Sequence, residues 1–242
     1  ANGYHLSEDY WGGYAEKQRV NGDFLVPVPE AFDLEQVMAL GTAGYTAMLC
    51  VHAVVDHGTK PEDGPILVTG AAGGVGSVAV MALAKLGFEV AASTGRPETG
   101  DYLKSLGASQ IVARADLARA CKPLEKELWA GVVDAVGDTT LATAIAQTKH
   151  EGIVAPCGLA GGFGLPTSVM PLILRGVTVR GIESIQTSME RRERAWAALA
   201  ELIDQDKLAE VFTTEPLGKA IEIGRKILEG TVRGRVVIDV NA

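Results

Sequence analysis

The sequence predicts an α/β protein built on a doubly wound, parallel sheet of six strands, and three observations carry that prediction. Ile66-Leu67-Val68 is a short, continuously apolar run, and a glycine-rich turn leads from it into Val75 to Lys85, where apolar residues recur at helical spacing. A run of this kind, partly β-branched, suits a strand buried on both faces of a parallel sheet. Strand-like and helix-like segments then alternate as far as Ile182, the rhythm of successive βαβ units. The expected strands end on Gly70, Ser93, Arg114, Gly137, Gly158 and Ser184, small or polar residues suited to a ligand crevice at the strand carboxyl ends.

Taken in order, Phe88 to Ala92 reads as the second strand, Asp101 to Leu106 as a helix, and Gln110 to Ala113 as the third strand. Gly131 to Val136 is the fourth strand, Thr140 to Lys149 a helix, and Gly152 to Cys157 the fifth strand. Val169 to Arg175 reads as a short helix and Val177 to Ile182 as the sixth strand. Thr187-Ser188-Met189-Glu190 has the form of a capping box, and the helix behind it carries Trp196, Leu199, Leu202 and Ile203 as a core-facing stripe.

The chain ends read differently. Gly12 to Val20 alternates like an edge strand and Asp23 to Pro29 like a second one capped by prolines. After a helix over Ile221 to Leu228, ended by Gly230, Gly234 to Val240 reads as a lone strand. Strands without partners form no stable sheet. Both ends are therefore expected to belong to a second, all-β domain whose main body lies upstream of Ala1. The expected division is 1–36 for its terminal strands, 37–212 for the doubly wound domain and 213–242 for the return.

The glycine-rich turn, Ala71-x-Gly73-x-x-Gly76, lies between strand and helix, where unpaired N–H groups and the positive helix end favour a pyrophosphate. Alone, such a triplet also fits a tight turn in any packed α/β domain. The second strand ends in Ser93-Thr94-Gly95-Arg96, 20 positions beyond Gly76, where a dinucleotide fold meets the adenosine ribose. NAD-binding chains usually place a carboxylate there for the 2′-hydroxyl. Two hydroxyls, a glycine and an arginine suit a 2′-phosphate instead, so NADP is expected over NAD, with a solvated loop arginine as the alternative reading of Arg96.

Composition narrows the function classes. The 242 residues are 47% hydrophobic, enough for one large core or two modest ones. The net charge of −8 and the lack of a basic cluster argue against nucleic acid as a partner. No membrane partner is expected, because no uninterrupted apolar run is long enough to span a bilayer and no leader pattern opens the chain. Cys50, Cys121 and Cys157 are scattered without a Cys-x-x-Cys pair, which fits buried thiols in a reducing cytoplasm. His5, His52, His57 and His150 lack metal-ligand spacing, and no Gly-x-Ser-x-Gly elbow offers a nucleophile. Tyr4, Tyr10, Trp11 and Tyr14 form an aromatic cluster in a chain with 5% aromatics, expected to pack at an interface more than to stack on substrate.

Several segments together resemble a known family. They are Gly12 to Glu16, Val26 to Pro29, Gly41-Thr42-Ala43-Gly44-Tyr45-Thr46-Ala47, Val68 to Gly76, Leu103 to Ala108 and Gly234 to Val237. This order resembles the zinc-free quinone-oxidoreductase side of the medium-chain dehydrogenase/reductase superfamily. Ser93 to Arg96, Pro123 to Lys126, Trp129 to Gly131, Met170 to Arg175 and Glu190 to Arg192 narrow the likeness to its acryloyl-CoA reductase branch. The resemblance implies a Rossmann sheet plus remnants of an all-β GroES-like domain at both chain ends. It implies NADPH-dependent reduction of acryloyl-CoA to propionyl-CoA by conjugate hydride transfer, with an enoyl-CoA or enone as the small-molecule substrate. A general quinone or enone reductase and a non-catalytic NADPH-binding module are the alternatives.

The resemblance also implies site residues. Ala72, Gly73, Gly74 and Val75 would face the pyrophosphate, Thr94, Gly95 and Arg96 the 2′-phosphate, and Arg114 the adenosine. Leu159, Ile173 and Ser184 would line the nicotinamide side, with Thr42 packed below it. No proton donor is identified among the residues. Ala39 stands where zinc-dependent relatives carry a cysteine ligand, so no metal is expected. The edge Val177 to Ile182 is expected to pair with its two-fold copy in a homodimer.

Overall fold

The computed structural model describes residues 1–242. Its main sheet holds β1 (Ile66–Val68), β2 (Val90–Thr94), β3 (Gln110–Ala113), β4 (Trp129–Asp134), β5 (Thr148–Pro156) and β6 (Thr178–Val179). All pairs are parallel, in the order β3-β2-β1-β4-β5-β6, so the strand order reverses between β1 and β4. That reversal opens a crevice at the carboxyl ends. The expected doubly wound sheet is present.

Alternation along each strand builds a core on both faces. Ile66, Val68, Val90, Ala92 and Val133 join a 38-residue cluster with α1 (Leu34–Asp56), α2 (Gly74–Lys85) and α7 (Met189–Leu202). Their neighbours Leu67, Ala91 and Val132 face a cluster of ten, with residues of α4 (Arg114–Leu117) and α5 (Asp138–Ala146). The remaining helices are α3 (Gly100–Leu106), α6 (Met170–Arg175), α8 (Gln205–Val211) and α9 (Ala220–Leu228).

The largest element, α1, opens with a capping box. Asp33 accepts from Gln36 N at 2.7 Å, and Asp33 N donates to the Gln36 side chain at 3.0 Å. Gly41 (φ +47°, ψ −148°) then kinks it. This helix corrects one expectation, since α1 is long and apolar enough to cross a membrane by length and composition. Gln36, Thr42, Thr46 and His52 interrupt it in a linear reading, but the helix repeats its apolar residues on the buried side. Its apolar stretch is 67% buried against α2, α7, β4 and β5, as a core helix is.

Several boundaries shift for local reasons. Phe88 is not in β2: Gly87 N donates to Ala84 O and Phe88 N to Leu83 O, a Schellman stop for α2 that uses Gly87 at φ +87°. β4 begins at Trp129 instead of Gly131, and Ala135-Val136 belong to the turn beyond it. α5 ends at Ala146, three residues early, because Thr148 already pairs with Trp129. A register shift between Trp129 and Gly131, with Glu151 at φ +57°, absorbs the difference. The regular part of β6 is two residues long, yet Arg180 N donates to Val154 O and Ile182 N to Pro156 O, so the ladder runs on to Ile182.

The chain ends depart further. Gly12 to Val20 and Asp23 to Pro29 form no strands, only a 3₁₀ turn at Gly22–Phe24, because no neighbouring strand is there to accept their hydrogen bonds. The Gly234 to Val240 segment is not alone. Its core, β8 (Arg235–Asp239), pairs in parallel with β7 (Phe212–Pro216). The capping box at Thr187 to Glu190 does not form, for Ser188 makes no side-chain cap bond. Arg192 orders that turn instead. It is 1% exposed and donates to Thr187 O (3.0 Å), Ile185 O (2.7 Å) and Asn2 O (2.8 Å). Its guanidinium covers the Tyr4 ring at 4.1 Å, so carbonyls and an aromatic face stand where a carboxylate would. Tyr4 also stacks on Phe24 at 4.3 Å with Tyr10 edge-on, while Trp11 and Tyr14 stay exposed.

Candidate functional site

The crevice floor is the turn from β1 into α2. The N–H groups of Gly74, Val75 and Gly76 open the helix and have no backbone acceptor. Ala72 is buried beneath them and Gly73 is the N-cap. Gly76 is needed for packing, because a Cβ there would lie 2.4 Å from Gly70 O and 2.5 Å from Ala71 Cα. Gly73 is tight too, with Gly70 O 3.2 Å from a Cβ position. The result is a close-fitting cradle of free donors at a helix N-terminus.

At the end of β2 the expected residues do meet. Thr94 is buried, accepts from Arg96 N at 3.1 Å and shares a hydrogen bond with the Thr99 hydroxyl at 3.0 Å. Thr99 also donates to Arg96 O at 2.7 Å, so two threonines hold the Arg96 backbone. Arg114, at the head of α4, lies across Gly95, whose Cβ position falls 2.5 Å from the guanidinium carbon. Only glycine leaves room for it. Neither Arg96 nor Arg114 takes part in an ion pair.

Two functional candidates were not singled out from sequence. Arg235, the first residue of β8, donates Nε to Ala39 O at 2.9 Å. Its side chain runs between Gly41 and Gly74, with Cδ 2.6 Å from the Gly74 Cβ position. Burial pulls its pKa down from the usual arginine range, and no carboxylate pairs with it. A guanidinium without a counter-ion at the start of α2 fits an anionic pyrophosphate. The one sequence signal was an arginine directly after Gly234 in an apolar strand. The other candidate is Asp134, fully buried at the end of β4, where burial pushes its carboxyl pKa up. It accepts from Thr69 Oγ1 at 2.6 Å and Gly137 N at 2.8 Å, fixing the turn at Gly137 (φ +75°). Leu159 packs on that turn, 3.4 Å from the Gly137 Cβ position.

The other expected residues are more dispersed. Thr42 is exposed on α1 and accepts from Thr46 Oγ1 at 2.7 Å. With Gly41, Val37, Trp196 and Arg235 it lines a cavity of about 240 Å³. Ser184 is half-buried, its carbonyl accepting from Arg192 at 3.3 Å. Ile173 stands 72% exposed on α6 and Leu159 66% exposed in the segment after β5, and neither lines the cavity at Thr42. The residues suit a dinucleotide: free donors at the cradle, unpaired arginines where its phosphates would lie, and apolar side chains beyond β5. No three His, Cys, Asp or Glu side chains stand close enough to share a metal ion, and Ala39 has no ligand atom.

Comparison with known proteins gives consistent findings. Residues 74–204 match the family described as zinc-binding dehydrogenase. Acrylyl-CoA reductase AcuI of Ruegeria pomeroyi is 54% identical over 241 residues, covering 99% of this chain and 73% of that protein. The crystal structure of Escherichia coli K-12 YhdH with bound NADPH superposes with a TM-score of 0.96 at 48% identity, covering 99% of this chain and 74% of that one. Bacillus subtilis yhfP, crystallised with NAD bound, gives 0.94 at 41% identity, with 99% and 73% coverage.

Proposed function

The chain belongs to the zinc-binding dehydrogenase family, beside its acrylyl-CoA reductases, and from that premise we propose that it reduces the carbon–carbon double bond of acryloyl-CoA, or a similar short enoyl-CoA, with NADPH. The observation that carries the cofactor choice is local: in a chain of net charge −8, the Arg114 side chain lies over Gly95, the neighbour of Arg96, at the end of β2, and neither arginine has a carboxylate partner. Bound NADPH supplies the hydride that adds to the substrate's β-carbon. The chain's own part is to orient. Gly74 to Gly76 N–H groups and Arg235 hold the pyrophosphate, Thr94, Gly95, Arg96 and Arg114 the adenosine end, and Thr42, Leu159, Ile173 and Ser184 flank the nicotinamide end. Charge develops on the thioester oxygen as an enolate before the α-carbon takes a proton, and no side chain of this crevice is assigned that proton.

Steady-state turnover with NADPH of acryloyl-CoA, crotonyl-CoA and a quinone tests the substrate class. Enoyl-CoA turnover should exceed quinone turnover, and the reverse order would overturn the reading. We also assign residues 1–36 and 213–242 to the substrate-domain side and 37–212 to the cofactor domain, which is supported by the separate sheet that β7 and β8 form. The free thiols of Cys50, Cys121 and Cys157 support a cytoplasmic setting. The outer edge of β6 is read as the two-fold contact of a homodimer.

A further inference from the structure

The return from α9 to β8 crosses the cofactor crevice, and its contacts are more specific than a connecting loop requires. Arg96 Nη2 donates to Val232 O at 3.2 Å, and Gly234 N donates to Ala72 O at 2.9 Å. The segment is thus fastened both to the 2′-phosphate candidate and to the glycine-rich turn. Between those two attachments stands Arg233. Its guanidinium lies over the Tyr102 ring at 4.4 Å, and its only hydrogen bond is a long one, 3.5 Å to Glu210 O. It forms no ion pair, and the Glu210 carboxylate instead accepts from Ser105 at 3.0 Å.

Tyr102 is buried, and its hydroxyl donates to Ser77 Oγ on α2 at 2.8 Å, so its ring is a fixed platform. Burial pushes the Tyr102 phenol up, while the Ser77 bond and the charges of Arg233 and Arg96 oppose that rise. A cation stacked on a fixed aromatic face keeps its N–H edge available and loses little rotamer freedom on meeting an anion.

We propose that Arg233 is a second guanidinium contact, with Arg96, for the 2′-phosphate of the cofactor, presented by the return segment and pre-oriented by Tyr102. This rests on the NADPH reading above. It makes cofactor selectivity depend on two distant parts of the chain, the end of β2 and the entry to β8.

Calorimetric titration with adenosine 2′,5′-bisphosphate and with adenosine 5′-monophosphate tests it without any turnover. Replacing Arg233→Gln should weaken the bisphosphate by about five- to twentyfold, a charge-assisted contact reduced by solvent screening, and leave the monophosphate within about twofold. Arg233→Lys should recover part of the loss. On the unsubstituted chain, phenylglyoxal modification of Arg233, located by peptide mass mapping, should slow with the bisphosphate present and not with the monophosphate. Equal loss of both nucleotides in R233Q, or no loss, would overturn the assignment of Arg233 while leaving the NADPH reading in place. An unsubstituted chain that binds both nucleotides alike would overturn both.

Discussion

Arg96 and Arg235 are both guanidiniums without carboxylate partners in one crevice, yet their removal should read differently. Arg96 stands at the ribose end, so Arg96→Ala should weaken NADPH by about 1.5–3 kcal/mol and leave NADH nearly unchanged, as measured by fluorescence titration. Arg235 stands at the cradle, so Arg235→Ala should weaken both cofactors by a similar factor. Equal losses for Arg96→Ala would make Arg96 structural; a selective loss for Arg235→Ala would move Arg235 to the 2′-phosphate. Gly76 gives a stability prediction of a different kind. A Cβ 2.4 Å from Gly70 O forces strand and helix apart, so Gly76→Ala should lower the unfolding free energy by about 1–3 kcal/mol in urea denaturation. A midpoint equal to that of the parent chain would show that the turn can yield.

The linker before β4 shows how one element is positioned by charge. Glu125 pairs with Arg119 through both oxygens, at 2.6 and 2.7 Å, and accepts from Gln147 at 3.0 Å and Lys122 N at 3.2 Å. The Arg119 bonds above all hold its pKa down to about 2, against an ordinary 4.5, while partial burial works the other way. A depressed carboxylate contributes stability that is present above pH 4.5 and is lost as pH falls from 4.5 toward 2. Glu125→Gln should therefore cost about 1–2 kcal/mol at neutral pH and flatten the stability profile across that acid window. An unchanged slope there would place the acid sensitivity elsewhere. Element boundaries were legible where a local signal decided them, as at Gln110 to Ala113. They were missed where the deciding contact was remote, as where Thr148 leaves α5 to pair with Trp129.

At the scale of the whole molecule, the open question is the outer edge of β6. Arg180 N and Ile182 N donate inward to β5, so by alternation the N–H of Val179, the residue before Arg180, points outward. Val179→Pro removes that outward donor and leaves the intrachain ladder intact. If the edge pairs with its two-fold copy, the variant should be a folded monomer by light scattering; a surviving dimer would place the contact elsewhere. Val179, 37% exposed on this edge, suits such a contact.

Read alone, the sequence determined the doubly wound core, the glycine-rich cradle and the Thr94-Gly95-Arg96 end of β2. Those features rest on period, spacing and the conformational needs of glycine, which act within a few residues. Tertiary structure alone decided that β7 pairs with β8, that Arg192 replaces the expected capping box, and that Arg235 reaches the start of α2 from 161 positions downstream of Gly74. The N-terminal segments show the same limit from the other side: alternation over Gly12 to Val20 supplies a side-chain pattern, but a strand exists only where another backbone accepts its hydrogen bonds. Such partners are brought together by chain closure over long separations, and no local pattern encodes which distant carbonyl or guanidinium will arrive.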